Sequence, residues 1–402
     1  NLDRVARANT HVAHSFTCQP VCGPARSCLQ TGLYATTTGC YRNAIPLPDD
    51  ARTVAHGFRE AGYNTGYIGK WHLHERDTKG PVPADKRFGY DYWLASNVLE
   101  FTSDAYDTVM YDNDDAEVKL PGYRVDAVTD AAIRYIDSQA GASDPFYLFV
   151  SYIEPHHQNH IDDYPPPDGY RERYTGGWIP PDLAALGGST HQHLGGYYGM
   201  VKRLDEAYGR LHDALKSLGL DQDTIVLFLS DHGHSAEERA FGGGGRSAPF
   251  TGHKGTLKEG GLRVPFLLSA PGRVPAGEVR GQPATSLDLL PTLAHLTGAE
   301  LPQRELDGVN LARVLASGTA QSPHLNLNWV YGNYWVVREA YWKILGDVSD
   351  DTVALYNLYD DPGEQHDVSY LNQDMTNYLI GRHNEWIRFI MADAKAKGYG
   401  DP

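Results

Sequence analysis

Three short apolar runs, Phe146 to Tyr152, Thr224 to Ser230 and Val264 to Ala270, constrain the fold of this chain most strongly. Each is nearly continuous in Phe, Leu, Val and Ile and is bounded by polar or turn-forming residues. Alternation is the mark of a strand with one wet face, so continuous runs predict strands covered on both faces. Helical patterns lie between them: Val125, Val128, Ala132 and Ile136 share one face, and an amphipathic stretch runs from about Tyr197 to Leu218. Strands alternating with helices predict an α/β fold, a mostly parallel mixed sheet sandwiched by helices.

The texture changes near Pro323. Tyr- and Trp-rich segments at Leu325 to Arg338, Tyr341 to Leu345 and Val353 to Leu358 precede an amphipathic stretch from Tyr370 to Lys397. These predict a smaller C-terminal antiparallel sheet plus a closing helix. The expected division is an α/β domain over 1–320 and an α+β subdomain over 321–402, within the capacity of 402 residues. Gly242 to Gly245 and Pro165 to Pro167 read as loops, and there is no internal repeat.

No run approaches the roughly 18 apolar residues that cross a bilayer, so no membrane insertion is expected. With 51 acidic against 35 basic residues, the net charge of −16 disfavours nucleic acid, anionic membranes and long polyanions. An anionic substrate would need positive charge gathered in a pocket. Cys18, Cys22, Cys28 and Cys40 crowd one segment, unlike a disulfide framework, and lack the C-x-x-C pairs of a structural zinc site. The opening Asn1-Leu2-Asp3-Arg4-Val5-Ala6 reads as an internal helix without a signal peptide, so a true N-terminus further upstream is expected.

Four constellations carry chemistry. Cys22-Gly23-Pro24-Ala25-Arg26 is the first, and its plain reading is Cys22 as a buried small hydrophobe, the commonest fate of a free cysteine. Gly62 to His72 ends a strand-like run in Lys70 and His72; residues two apart in a strand face one side, so both can converge on an anion. Its plainer reading is a surface lysine beside a packing histidine. Ser230-Asp231-His232-Gly233-His234 follows an apolar run, at the strand end where ligands and metals collect in α/β sheets. Asp231 and His232 offer a hard oxygen and an imidazole to a divalent cation, though the segment also suits a solvent-facing loop. Gly252 to Pro265 is a glycine-punctuated loop able to present Lys254 to an anion.

In order and company these pieces resemble the sulfatase family of the alkaline phosphatase superfamily. Cys22 to Arg26 is similar to its C-x-P-x-R core, in which the cysteine is oxidised to formylglycine. Gly62 to His72 resembles the second sulfatase signature, and Lys254 to Arg263 the K-G-x-x-x-E-G-G-x-R loop. Further similarity at Asn1 to Arg4, Phe88 to Tyr92, Ser286 to Thr292, Leu355 to Leu358 and Asp361 to Glu364 extends the resemblance over about residues 1 to 370.

The resemblance implies hydrolysis of sulfate monoesters, most naturally on a sulfated carbohydrate. One hydroxyl of the hydrated formylglycine attacks sulfur, and loss of a proton from the other expels sulfate. It implies that Arg26 holds the diol, Lys70 binds sulfate, His72 contacts the diol as the elimination base, and Lys254 lies near the leaving oxygen. Asp231, His232 and the oxygen of modified Cys22 become metal ligands, with Ca2+ expected and Mg2+ or Mn2+ as alternatives. Tyr152 to His160 resembles the P-H-x-P element; His156 matches its histidine, and because Gln158 stands at the usual proline, His157 or His160 are candidates to share the task. A formylglycine-generating enzyme becomes an expected maturation partner, and a periplasmic or secreted location follows the family's tendency.

Two departures matter. Gln30 replaces an apolar residue in the first signature. The family's Asp-Asp pair, which completes the metal site, belongs upstream of Asn1, so the first strand is expected to be missing here. Asp112-Asn113-Asp114-Asp115 holds such a pair, but in a polar loop far along the chain. Two rival readings share these residues: a formylglycine-dependent phosphonate or phosphate ester hydrolase, and a catalytically inactive carbohydrate-binding homologue. The 26 Tyr and 7 Trp suit stacking on sugar rings, but filling the core is their commoner use.

Overall fold

The computed structural model describes residues 1–75, 79–185, 190–236, 243–299 and 306–396. Gly242 of the glycine run and Lys397 at the end of the expected last helix lie outside these residues. The strands of the larger part are β1 (Thr10–Val12), β2 (Ser15–Phe16), β3 (Asn64–Lys70), β4 (Tyr92–Ser96), β5 (Thr108–Tyr111), β6 (Glu117–Leu120), β7 (Phe146–Ser151), β8 (Val226–Leu229), β9 (Phe266–Ser269), β10 (Glu278–Arg280) and β11 (Ala284–Thr285).

They form one sheet of order β6-β5-β4-β3-β7, a second of order β10-β1-β9-β8, and the small pair β11-β2. β3 runs parallel to β4 and β7, whereas β5 pairs antiparallel with β4 and β6. β9 lies antiparallel to both β1 and β8, and β1 parallel to β10. Two of the three continuous apolar runs, β8 and β9, are thus antiparallel neighbours. Continuity reports cover on both faces, not strand direction.

The helix Arg124–Gln139 buries Val125, Val128, Ala132 and Ile136, the face marked by its spacing, and packs with Ile68, Leu94 and Ile153. The opposite face of β3 meets an aromatic cluster of Tyr67, Trp71, Tyr90, Trp93 and Phe149. At Gly69, with φ of +110°, any Cβ would lie 2.0 Å from the Ser151 carbonyl oxygen. Only glycine lets β7 come this close to the end of β3, and that end carries Lys70.

β7 and β8 behave differently from their neighbours. β9 is buried throughout, but every residue of β8 and all of β7 except Ser151 are only partly buried. Each is the last strand of its sheet among the described residues. Together they line a cavity of about 1350 Å³ whose walls include Leu148, Val150, Leu227 and Leu229 and which opens onto Cys22, Asp231 and His232. An apolar slot with a free strand edge on each side therefore leads to the polar end of the sheets.

The C-terminal part is an antiparallel meander of β12 (Leu327–Tyr331), β13 (Tyr334–Glu339), β14 (Trp342–Asp347) and β15 (Thr352–Asn357), closed by the helix Gln373–Ala396. The run Leu325 to Arg338 resolves into two strands, because Gly332, with φ of +59°, turns the chain back in a hairpin. Leu327, Trp329 and Val336 pack on Phe16, Leu257 and Leu262, which attaches the meander to the loop holding Lys254.

Candidate active site

Cys22 is the first residue of the buried helix Cys22–Thr31, preceded by Val21 in extended conformation. Pro24 is tolerated there because the first helical turn needs no donor from it. The helix N-terminus adds positive potential at the sulfur. Cys22 Sγ stands 3.1 Å from His232 Nε2. Burial alone would push this thiol up. The charges of Lys70, His232 and Lys254, with a hydrogen bond from His156, outweigh burial and hold it well below the ordinary thiol range.

Arg26, one turn further, anchors the floor. Its Nη1 donates to the Lys70 carbonyl (2.9 Å) and to Ser151 Oγ (2.7 Å), and Nη2 pairs with Asp231 at 3.1 Å. One guanidinium thereby ties the Cys22 helix to the ends of β3 and β7 and to the loop after β8.

Lys70 is 1% exposed, so the surface-lysine reading fails. Its Nζ lies 2.7 Å from Glu100 Oε1. Burial would raise Glu100, but Lys70, His156 and His72 hold its carboxyl down to about 2. His156 Nε2 is 3.9 Å from the same oxygen. Glu100 is thus a member of the site that sequence reasoning missed. Its only signal is a lone acid within Val98-Leu99-Glu100-Phe101.

His72 reaches the site by a different route from the one its spacing suggests. β3 ends at Lys70, and His72 adopts a left-handed φ of +58° with its N–H bonded to the Asn97 carbonyl at 2.6 Å. A turn, not strand alternation, brings its ring to hydrogen-bond Cys22. Burial, then Lys70, pushes His72 below the usual histidine range. The neutral ring this favours is the form a proton acceptor needs.

Asp231 and His232 follow β8, and Gly233 packs so tightly that a Cβ would lie 1.9 Å from the Gly260 carbonyl oxygen. His232 Nδ1 is committed to the Gly233 carbonyl at 2.8 Å, so Nε2 faces Cys22 with Asp231 Oδ1 3.8 Å away. Candidate ligand atoms of Cys22, Asp231 and His232 all lie within 4.8 Å of one another. Burial opposes charge on both residues. His232 and Arg26 nevertheless hold Asp231 low, while Asp231 and Cys22 hold His232 high. A carboxylate and an imidazole whose second nitrogen is fixed by a carbonyl form a donor pair that fits a divalent cation. Lys254 arrives on the loop before β9, its N–H bonded to the His234 carbonyl and that of Gly255 to the Pro20 carbonyl.

Only one of the three neighbouring histidines meets Cys22. His156 does so, whereas His157 pairs with Asp162 at 2.9 Å and exposed His160 pairs with Asp104 at 2.9 Å. Gln158 is buried and bonds the Glu100 and Ser103 carbonyls and Arg124. At the expected proline position, it braces the loop. Asp114 is exposed, with its N–H on Asp112 Oδ1, and Asp115 pairs with Arg87, so the loop pair plays no part here.

The family model described as Sulfatase matches residues 1–299. The ulvan-active sulfatase of Formosa agariphila is 33% identical over 78% of this chain and 60% of its own length. Arylsulfatase A of Bos taurus is 30% identical over 92% of this chain and 78% of its own. The chain spans 60% and 65% of the first two curated relatives, the second an uncharacterized sulfatase of Escherichia coli. The crystal structure of Ps i-CgsB in complex with k-i-k-neocarrahexaose superposes with a TM-score of 0.80 at 26% identity, covering 96% of this chain and 86% of that one. Both the ordered motifs and the matched length place the chain in the sulfatase family.

Proposed function

We propose that this chain is a sulfuric ester hydrolase acting on sulfated carbohydrate, with Cys22 as the precursor of its nucleophile. The observation that carries this reading is the convergence of Lys70, Lys254, His72, His156 and His232 on one buried sulfur at a helix N-terminus. Such a cluster stabilises an anion, and sulfuryl transfer asks for little else beyond a nucleophile. Cys22 Sγ stands in for the oxygen of a hydrated formylglycine, whose hydrate supplies a hydroxyl nucleophile and a route for sulfate release that a thiol lacks. A formylglycine-generating enzyme is the maturation partner this requires.

The residues divide the work as follows. Arg26 fixes the helix start, and Lys70, oriented by Glu100, meets the sulfate oxygens. Lys254 and His156 serve the leaving oxygen, and neutral His72 takes the proton when sulfate departs. Asp231, His232 and the atom replacing Cys22 Sγ would hold a divalent cation, Ca2+ by its preference for oxygen donors, which would neutralise charge on the sulfate. The slot between β7 and β8 suits one further strand, and the family's Asp-Asp strand is the occupant we propose. Its end would then lie beside Asp231, where more carboxylate is needed.

The names of relatives support a glycan substrate: an ulvan-active sulfatase, and a neighbour crystallised with neocarrahexaose. The acidic surface suits the end of a short sulfated saccharide better than a long polyanion. Steady-state rates on matched sulfate and phosphate esters test the reading. Sulfate esters should be turned over with the higher kcat/KM. Preferential turnover of the phosphate ester, with no sulfate released, would place the chain with the phosphonate and phosphate ester hydrolases.

A further inference from the structure

A second group of side chains able to ligate a metal lies outside the site just described. His157 follows β7, His193 lies in the helix Thr190–Ser217, and Asp162 belongs to the loop between them. Their candidate ligand atoms lie within 4.8 Å of one another. His157 and His193 are 2% and 0% exposed, so two imidazoles are withdrawn from water around one carboxylate.

Both rings approach the Asp162 carboxylate, and a hydrogen bond fixes the orientation of His157. His157 Nδ1 lies 2.9 Å from the Asn159 side-chain oxygen and donates to it, which leaves Nε2 to face Asp162 Oδ1 at 2.9 Å. A second-shell oxygen fixing one nitrogen so that the other points inward is how ligating histidines are held. His193 Nε2 lies 3.9 Å from the same Oδ1 and 3.1 Å from the Asp162 carbonyl oxygen, while its buried Nδ1 has no partner. Asp162 presents Oδ1 and its backbone carbonyl oxygen from a left-handed backbone, φ +47°, unusual for a residue with a side chain. Tetrahedral ligands about 2.0–2.1 Å from zinc stand roughly 3.3 Å apart, between the two imidazole–carboxylate separations of 2.9 and 3.9 Å.

We infer that His157, Asp162 and His193 form a second cation site, for a transition ion of the zinc class rather than calcium. Two imidazoles and one carboxylate are the donor set such ions prefer, whereas calcium seeks six or more oxygens. The bound ion would pin the loop after β7 to the helix Thr190–Ser217. His156, directly before His157, would be held in place by a metal it does not itself touch. The site draws on none of Cys22, Asp231 or His232 and stands independently of the hydrolase reading.

The test loads metal-stripped full-length protein with Co2+ or Zn2+ alone. Asp231→Asn disables the first cation site and isolates the second. In that variant, one equivalent of Co2+ should bind with the intense visible bands of tetrahedral coordination, and Zn2+ should raise Tm. His193→Gln, added to Asp231→Asn, should weaken Co2+ binding roughly 100-fold or more and abolish the Zn2+ shift in Tm. If His193→Gln fails to fold, Asp162→Asn replaces it, changing one charge at a side chain that is 40% exposed. The inference is overturned if Asp231→Asn binds no Co2+ with tetrahedral bands, or if the variant that folds binds it as tightly as Asp231→Asn alone. A buried histidine–aspartate ion pair without metal would give that result.

Discussion

Lys70 is useful to an anionic substrate because Glu100, 2.7 Å from its Nζ, holds it pointed while buried. Removing the lysine should therefore cost more than removing an ordinary surface charge. Lys70→Ala is expected to lower kcat/KM for sulfate release by about 10²- to 10³-fold, the usual penalty for losing one preorganised donor to a developing charge. Glu100→Gln should have a smaller effect, about 10-fold, carried mainly by kcat because Lys70 remains but is less firmly held. An unchanged rate for Lys70→Ala in a sulfate-release assay would contradict the role given to it. Cys22, Arg26, Lys70, Asp231, His232 and Lys254 were legible in sequence because each sits in a short motif of fixed spacing. Glu100 was not, since it touches Lys70 across 30 residues and belongs to no motif. His72 was legible as a residue, but its geometry was not, because nothing in the spacing announces a left-handed turn.

At the scale of elements, the glycine-punctuated loop depends on the C-terminal meander. Lys343 of β14 is 0% exposed and lies 3.2 Å from Glu259 and 2.9 Å from Glu364. Glu259 follows Lys254 by one loop, and its N–H bonds the Glu364 carboxylate at 2.8 Å. Lys343→Met would leave buried Glu364 without its lysine, and Glu259 with only the longer pairs to Arg338 at 3.6 Å and Arg263 at 3.9 Å. Unfolding in urea should show a loss of about 3–5 kcal/mol, with sulfate release falling alongside as the Lys254 loop loosens. A loss below about 1 kcal/mol would mean that the cluster behaves like an exposed pair. The helices were legible from periodicity, as Val125, Val128, Ala132 and Ile136 show, and the antiparallel meander from its Tyr- and Trp-rich segments. The pairing of β8 with β9 was not, because a run apolar on both faces looks alike in either direction. The slot beside β7 and β8 was not legible, because the openness of both edges is visible only when the two sheets are assembled.

Across the whole molecule, acid sensitivity and cation dependence are separable. His383 stacks on Trp335 with ring centroids 4.1 Å apart, and burial pushes its pKa from 6.5 down to about 4. The unfolded chain takes up this proton first on acidification. The contribution to stability is therefore complete above pH 6.5 and is lost as pH falls toward about 4. His383→Gln should lose less stability than wild type between those limits, measured by urea unfolding at each pH. An identical loss in both proteins would remove His383 from the account. Activity should answer to a different variable: stripping divalent cations at constant pH is expected to abolish sulfate release, and Ca2+ to restore it.

The central claim is that Cys22 is the precursor of the nucleophile, and mass spectrometry of the peptide carrying it tests this most directly. In catalytically active full-length protein produced with a formylglycine-generating enzyme, that peptide should carry formylglycine in place of the thiol. Sulfate release from protein whose Cys22 remains an unmodified thiol would contradict the account.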